Sequence, residues 1–318
     1  MKFPVFDLHC DTAYALLESN FRQCGSLLEN SYHIDLMRAG KLAGYAQCFA
    51  CFTTPLETAV NPVDLFEREM ATVMREVERN SDKISLAYCA QDVMDNYQNG
   101  KMSALLTIEG PAGFDYDPQL LPMLYQVGFR MTTLGWNESN PLTGSHLTGE
   151  GLTQQGRAYV RAAQDVGILV DVSHLSDQGF WDVIEITKAP IVASHSNSRT
   201  LCDHTRNLTD EMFIAICKTG GAVGINLYKD FIGGDGSLDR VCDHILHFMK
   251  MDPNAEHICL GGDLDGCDPL ASGFTGVQDY DILAQKLLER GLSESAVMNI
   301  FWNNALGVLK HAVCNHEK

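Results

Sequence analysis

The sequence is poor in positive charge. Of its 318 residues, 23 are Lys or Arg and 41 are Asp or Glu, which gives a formal net charge of −18. Duplex DNA and anionic membranes are normally contacted through Lys and Arg, so this balance argues against either partner. We therefore predict a protein that binds neither nucleic acid nor membrane.

Signals for membrane insertion and export are also missing. No run of 18 or more apolar residues occurs, so no helix is expected to span a bilayer. The first residues, MKFPVFDLHCD, leave no room for the apolar region of a signal peptide, and the last residues end in charge. These absences predict a cytoplasmic location. Without repeats or low-complexity linkers, one domain over residues 1–318 is the simpler expectation.

The 11 cysteines do not form a recognisable framework. Their number is odd and they are scattered through apolar segments, which is typical of reduced, buried thiols in a chain of this length. Cys48 and Cys51 form a CxxC pair, but the second pair that a zinc site of this type needs is missing. We interpret the pair as part of a core strand.

Short apolar runs alternate with amphipathic stretches along the chain. This rhythm of strand and then helix favours a parallel sheet, and eight such units predict a (β/α)8 barrel, an α/β fold. An open doubly wound sheet is the alternative, but the Gly-rich phosphate turn expected after an early strand is absent. The predicted strands are Val5–His9, Gly44–Phe52, Ala104–Glu109, Arg130–Leu134, Ile168–Ser173, Ile191–His195, Ala222–Asn226 and Ile258–Asp263.

Polar residues stand out at the ends of these strands, where a barrel places its active site. His9 and Asp11 are two residues apart at the first strand, so alternation directs both side chains into the barrel mouth. Taken alone, this pair is also compatible with a hydrogen-bonded structural His. Glu109 closes an otherwise apolar strand, where a carboxylate needs a metal, a proton or a basic partner.

Two successive buried strands end in His174 and His195. Neutral imidazole is the commonest metal ligand, and a structural His has no reason to recur at the same rim. Asp263 follows the last strand, where a carboxylate can transfer protons; a metal ligand and a helix N-cap are the alternatives. The candidate ligands outnumber those of one tetrahedral zinc and suffice for two ions if Glu109 bridges them.

Six motifs in order resemble the membrane dipeptidase (renal dipeptidase) family of metallopeptidases, within the amidohydrolase superfamily. The resemblance runs from Phe6 to about Leu309, and an ordered set is far more specific than any single motif. The motifs are DLHCD at 7–11, IEG at 108–110, VSHLS at 172–176, SHSN at 194–197, TRNLTDE at 205–211 and GGDLDG at 261–266.

The resemblance implies a (β/α)8 barrel that holds two Zn²⁺ ions per chain, bridged by Glu109. It also implies that Arg206 binds the terminal carboxylate of the substrate and that Asp263 is the acid/base residue. A planar guanidinium suits a carboxylate because it donates two parallel hydrogen bonds. The implied ligands are His9, Asp11 and Glu109 for one ion, and Glu109, His174 and His195 for the other.

One position departs from the family pattern. Trp136 stands where animal members carry a substrate-contacting His, and an indole cannot take over a charged role. His146, a few residues on, is a candidate substitute. Tyr228 lies after the seventh strand, where it could line the pocket or pack as a structural aromatic.

The function that the resemblance implies is zinc-dependent hydrolysis of dipeptides through a metal-bridging hydroxide. The alternative is a related metal-dependent barrel hydrolase that acts on another amide, a lactone or a phosphoester. A barrel that binds without catalysis would be expected to lack ligands, and none is missing. The family often forms homodimers, although no segment of the sequence identifies an interface.

Overall fold

The computed structural model describes residues 2–22, 25–54 and 60–313. Parallel strands make up one sheet. In chain order they are β1 (Val5–Cys10), β2 (Tyr45–Phe52), β3 (Ile84–Leu86), β4 (Met102–Glu109), β5 (Phe129–Thr133), β6 (Leu169–Asp171), β7 (Ile191–Ala193), β8 (Ala222–Ile225) and β9 (Ile258–Leu260).

Eight of these strands close into a barrel. The order around it is β2, β1, β9, β8, β7, β6, β5 and β4, and β4 pairs with β2 to complete the ring. The predicted (β/α)8 barrel is therefore confirmed. The additional strand, β3, pairs with the first residues of β4, before the point where β5 joins the same edge. Its three residues are too few for the sequence pattern to reveal.

Helices surround the barrel. They are α1 (Thr12–Arg22), α2 (Leu36–Ala39), α3 (Pro62–Arg79), α4 (Ala90–Gln98), α5 (Leu121–Val127), α6 (Gln154–Val166), α7 (Asp177–Ile186), α8 (Asp210–Lys218), α9 (Lys229–Ile232), α10 (Leu238–Phe248), α11 (Tyr280–Glu289), α12 (Glu294–Met298) and α13 (Asn304–Val313). One π-helical turn, Asn299–Asn303, joins α12 to α13. Within the described ranges, none of these helices combines the length and the apolar character needed to cross a membrane.

The apolar period of the sequence misses α1, α2, α4, α5 and α9. Of these, α2, α4, α5 and α9 have nine residues or fewer, which give too few turns for a clear helical period. The amphipathic pattern of Glu294–His311 predicts one helix, whereas the structure interrupts it with the π-helical turn. Cys48 and Cys51 lie buried in β2, as expected, and the nine cysteines in the described ranges are free thiols.

Side chains from every strand of the ring fill the barrel. Trp302 extends this cluster, and its ring packs on Phe6 with the ring centroids 6.0 Å apart. The barrel is therefore a packed core, and a site can form only at its open rim. The strand residues of the cluster are Phe6, Leu8, Ala46, Cys48, Leu105, Met131, Leu169, Val192, Ala222 and Cys259.

Glycines bring three neighbouring strands unusually close at this rim. A Cβ atom at Gly224 would lie 1.9 Å from the carbonyl oxygen of Ser194, and one at Gly261 would lie 1.7 Å from it. Only glycine fits such an approach to rigid backbone. As a result, the backbones of β7, β8 and β9 stay close together where these strands end.

Candidate metal centre

Six polar side chains singled out in the sequence meet at the carboxyl-terminal rim of the barrel, and all six are buried. They are His9 and Asp11 at the end of β1, Glu109 at the end of β4, His174 after β6, His195 after β7 and Asp263 after β9. The structure thus brings together residues that are as much as 254 positions apart, since 263 − 9 = 254.

A β-bulge directs His9 into this group. Phe6 and Leu8 face the barrel interior, so strict alternation would send His9 outward. However, Asp7 pairs with Gln47 and Cys10 pairs with Phe49, so β1 has one more residue than β2 between these two pairs. The extra residue bends the strand and re-aims the side chain, as bulges beside active sites commonly do.

Glu109 stands between two groups of donor atoms. Its Oε2 lies 3.3 Å from Nε2 of His9, whereas its Oε1 lies 3.0 Å from Nε2 of His174 and 3.9 Å from Nε2 of His195. Each carboxylate oxygen therefore faces a different set of imidazoles. This is the arrangement that a bridging carboxylate requires.

Hydrogen bonds decide which nitrogen of each later imidazole carries its proton. Nδ1 of His195 lies 2.6 Å from the Ser194 hydroxyl, and that hydroxyl donates to the Asp171 carboxylate. The hydroxyl must therefore accept from Nδ1–H. Nδ1 of His174 lies 2.9 Å from the amide oxygen of Asn137, which can only accept. In both rings the lone pair is left on Nε2.

These lone pairs converge without a proton between them. Nε2 of His174 lies 3.0 Å from Nε2 of His195 and 3.0 Å from Oε1 of Glu109. Three electron-rich atoms at such distances repel one another when buried. A cation placed among them would turn this repulsion into coordination, so the arrangement fits a metal ion.

A second group of donor atoms surrounds His9, whose ring also stacks on that of His195 with the ring centroids 3.9 Å apart. Nε2 of His9 is 3.4 Å from Oδ2 of Asp11 and 3.8 Å from Oδ1 of Asp263. Nε2 of His9 and Oδ1 of Asp11 are buried without a hydrogen-bond partner. Buried polar atoms are rarely left in this state, and a metal ligand is one reason for it. This group therefore fits a second cation.

Burial and crowded charge shift the titration of these groups. Burial, reinforced by the Glu109 charge, raises the pKa of Asp11 to about 6, and burial likewise raises the pKa of Asp263 to about 6. Burial lowers the pKa values of His174 and His195 well below their ordinary value, so both imidazoles are neutral. Burial opposes charge on His9 too, but the Glu109 and Asp11 carboxylates outweigh it and raise that pKa.

Two further buried carboxylates tie neighbouring strands together at the rim. Asp7 accepts hydrogen bonds from the backbone N–H of His9 at 2.9 Å and from that of Gly262 at 3.1 Å, so it joins the segments after β1 and β9. Asp171 accepts from the backbone N–H groups of Ser173 and Ser194, both at 2.9 Å, and joins those after β6 and β7. The ligand-bearing segments are held in register by these bonds.

The backbone is also constrained at the site. His174, Asp263 and Asp265 have φ angles of 71°, 57° and 68°, in the left-handed region that non-glycine residues rarely adopt. Such conformations cluster at functional sites and persist only where surrounding contacts impose them.

Gly266 leaves room for the carboxylates. A Cβ atom at this position would lie 1.9 Å from Oδ2 of Asp11 and 2.5 Å from Oδ1 of Asp263. Because Gly266 has no side chain, the space into which these oxygens point stays open. Any larger residue would push the carboxylates out of place.

Four of the six donor residues, Asp11, Glu109, His174 and Asp263, line an open cavity of about 540 Å³. Arg206 reaches this cavity from the segment after β7 and is buried. Its guanidinium makes only long contacts, 3.5 Å to Oγ of Ser196 and 3.4 Å to the carbonyl oxygen of His195, and its Nε has no hydrogen-bond partner. Among the described residues it forms no ion pair, so a buried cation is available for an anionic ligand.

The remaining predicted residues line the same cavity. Trp136 packs edge-on against Phe52 with ring centroids 5.2 Å apart, and Phe52 in turn contacts Tyr14 at 6.0 Å. Tyr228 lies across the cavity and donates its hydroxyl hydrogen to Asp230 at 2.9 Å. Sequence reasoning missed Tyr14 and Phe52, which lack a polar signal at a strand end.

His146 also lines the cavity, but both of its ring nitrogens are engaged. Nε2 lies 3.0 Å from the amide oxygen of Asn137, and Nδ1 lies 2.7 Å from the Thr205 hydroxyl. Burial lowers the pKa of His146 to about 3, so this ring is neutral at ordinary pH. His146 therefore has no free ring nitrogen with which to replace the histidine that animal members of the family carry at position 136.

Buried imidazoles and carboxylates at the mouth of a (β/α)8 barrel define the class of metal-dependent barrel hydrolases. Residues 1–318 match the family model described as membrane dipeptidase (peptidase family M19). The chain therefore belongs to the membrane dipeptidase family and is a metallo-dipeptidase. An uncharacterized dipeptidase of Schizosaccharomyces pombe is 32% identical over 314 residues, which cover 90% of this chain and 74% of the relative.

Solved structures agree with this assignment. A metallopeptidase named dipeptidase AC, of the same peptidase family, is 25% identical and covers 98% of this chain and 99% of its own length, with a TM-score of 0.89. A metallopeptidase from Rhodobacter sphaeroides, solved with a phosphinate mimic of the dipeptide L-Ala-D-Ala, has the same fold. It is 24% identical, covers 98% of this chain and 100% of its own, and has a TM-score of 0.89.

The Gly266→Ala substitution should weaken metal binding. The added methyl group displaces the carboxylates of Asp11 and Asp263, and we expect at least about a 10-fold loss of affinity for one ion. Gly307→Ala is the control, because a Cβ there meets nothing within 4 Å. Zinc titration of both metal-free variants measures the effect, and equal affinities would show that the carboxylates do not depend on this space.

Proposed function

We propose that this protein is a zinc-dependent dipeptidase with two ions per chain in a single barrel domain. One ion would be held by His9, Asp11 and Glu109, and the other by Glu109, His174 and His195. The observation that carries the proposal is the placement of the two Glu109 oxygens, since Oε2 lies 3.3 Å from Nε2 of His9 and Oε1 lies 3.0 Å from Nε2 of His174. When bound, paired zinc ions polarise a carbonyl and supply an activated water near neutral pH.

Asp263 has the position of a proton carrier. Its Oδ2 accepts a hydrogen bond from the Asn226 amide at 3.0 Å. Its Oδ1 lies 3.8 Å from Nε2 of His9, on the side of the donor cluster, which is the group formed by His9, Asp11, Glu109, His174 and His195. We infer that this carboxylate takes the proton released when water attacks the peptide carbonyl. It then gives that proton to the nitrogen of the leaving amine, so that the products are a free carboxylate and a free amino group.

Arg206 would bind the carboxylate at the substrate's carboxyl terminus. The proposal is supported by its burial, by its long contacts and by the ring of Phe231, which lies 5.4 Å from the guanidinium carbon. A single peptide bond separates the reacting carbonyl from the residue that bears this carboxylate. Recognition of a dipeptide therefore requires the clamp and the donor cluster to share one cavity, as they do here.

The order of the strands gives the substrate a direction. β2 and β7 lie on opposite sides of the eight-stranded ring. Phe52 ends β2, and Arg206 follows β7. With the carboxyl-terminal residue held at Arg206, beside Tyr228, the amino-terminal residue would lie toward Trp136 and Phe52. This supports Trp136 and Tyr228 as substrate-contacting residues at opposite ends.

A dipeptide panel, assayed with and without a chelator, tests the proposed function. We expect about two zinc ions per chain by elemental analysis, hydrolysis of free dipeptides, loss of activity after chelation and recovery with zinc. Dipeptide amides, lactones and phosphoesters serve as controls. Faster turnover of any of these controls, or full activity in metal-free protein, would contradict the proposal. The cytoplasmic location and the homodimer stay predictions.

Asp263→Asn should separate proton transfer from metal binding. Asparagine keeps the size of the side chain but cannot take up a proton, so kcat should fall about 10²–10⁴-fold. Elemental analysis should still find both ions. Asp268→Asn is the control, because Asp268 is an exposed carboxylate on the same cavity and should be dispensable. Near-normal turnover of Asp263→Asn would exclude the role, and loss of an ion would make Asp263 a ligand.

Arg206→Ala should raise KM for dipeptides. Hydrogen bonds to a charged group contribute about 1.5–3 kcal/mol, which corresponds to an increase of about 10- to 100-fold. Arg157→Ala is the control, because Arg157 pairs with Asp182 at 2.8 Å outside the cavity and should leave KM unchanged. Steady-state kinetics on a dipeptide and its amide completes the comparison. If the variant lost equal affinity for both substrates, Arg206 would not be the carboxylate clamp.

A further inference from the structure

Asn137 connects two histidines at the edge of the donor cluster. Its amide oxygen lies 2.9 Å from Nδ1 of His174 and 3.0 Å from Nε2 of His146. Asn137 itself is fixed through its backbone, because its carbonyl oxygen accepts a hydrogen bond from the Ser145 hydroxyl at 2.8 Å. The backbone that carries this amide is therefore held by a contact outside the cluster.

An amide oxygen has no hydrogen to donate, so both imidazoles must donate to it. This keeps the proton of His174 on Nδ1 and leaves its Nε2 lone pair directed at Oε1 of Glu109 and Nε2 of His195. Without such an acceptor the His174 ring could take the other tautomer or rotate away, and in either case the lone pair would no longer face the cluster.

The second histidine contacts the same Asn137 amide oxygen from the side away from the cluster. Nδ1 of His146 accepts a hydrogen bond from the Thr205 hydroxyl at 2.7 Å, so its Nε2 carries the proton that Asn137 accepts. The backbone N–H of His146 also donates to the carbonyl oxygen of His174 at 2.9 Å. The segment after β5 therefore forms hydrogen bonds with both the ring and the backbone of His174.

We propose that Asn137 is a positioning residue for one ion only, the ion held by Glu109, His174 and His195. The inference rests on the proposed function, since it presumes two ions. Neither His9 nor Asp11 shares a hydrogen bond with Asn137 in the described part of the chain. The ion held by His9, Asp11 and Glu109 should therefore be independent of it.

The test compares zinc binding to wild-type protein, Asn137→Leu and Asn137→Asp. Leucine has a similar size but no acceptor, whereas aspartate restores an acceptor oxygen. We expect two ions in wild type and Asn137→Asp. In Asn137→Leu one ion should bind as in wild type and the other about 10- to 100-fold more weakly, the range found when a partner of a ligating His is removed. Titration of metal-free protein against a chromogenic chelator gives both affinities.

Thr205→Val is the matched control. It removes the outer hydrogen bond to His146 and leaves the contact between Asn137 and His174 in place, so both ions should bind as in wild type. Circular dichroism and thermal unfolding of the metal-free variants check the fold. If Asn137→Leu does not fold, Asn137→Ser carries the same comparison, since its shorter side chain also withdraws the acceptor.

The outcomes separate the two proposals. If Asn137→Leu binds both ions as tightly as wild type, or loses both equally while folded, the positioning role is wrong. If Asn137→Asp fails to restore the weaker ion, the acceptor oxygen is not what matters and the inference is also wrong. If wild-type protein does not bind two ions, the proposed dinuclear site fails instead.

Discussion

The site depends on one electrostatic constraint: buried carboxylates and imidazole lone pairs crowd together at the barrel mouth with too few protons to satisfy them. In water such groups would separate, but here the strands that carry them are fixed by the closed sheet. Repulsion between buried charges cannot relax by movement of the scaffold, so it is relieved by protonation or by a cation. A rigid barrel thus keeps a cation-binding arrangement ready before the cation arrives.

Two kinds of buried carboxylate at the same rim illustrate the point. Asp7 and Asp171 accept hydrogen bonds from backbone N–H groups and join neighbouring strands. Asp11 lies at a similar depth, yet its Oδ1 has no partner. Residues of the first kind satisfy their charge within the fold and serve structure. Asp11, whose Oδ1 accepts no hydrogen bond, is the carboxylate that is available to a cation. The number of hydrogen-bond donors around each carboxylate therefore distinguishes Asp11 from Asp7 and Asp171.

The hydrogen bonds of His146 connect the segment beside the donor cluster with the segment that carries Arg206. His146 joins the Asn137 amide to Thr205, which immediately precedes Arg206. The segment that contacts the His174 imidazole is therefore hydrogen-bonded to the segment that carries the Arg206 guanidinium. This connection ties the position of the Arg206 segment to that of the His174 imidazole.

Much of the architecture was predictable because burial leaves a periodic trace. Eight apolar runs gave the barrel, and polar residues at their ends marked the rim. The short β3 and the short helices α4 and α5 escaped because a few residues carry no clear period. His9 was placed in the mouth on the argument of strict alternation, whereas the structure turns it there through a bulge. That bulge depends on pairing with β2 and has no local signature.

The amino-acid order alone determined which groups could bind a cation, since His and carboxylate types at strand ends restrict the chemistry wherever the strands lie. Only the tertiary structure decided how close those groups lie, which oxygen of Glu109 faces which imidazole, and which nitrogen of His174 keeps its proton. The reason is that these properties are set by hydrogen-bond partners such as Asn137, contributed by other strands. Distances between chain segments are a product of packing, and a linear sequence does not contain them.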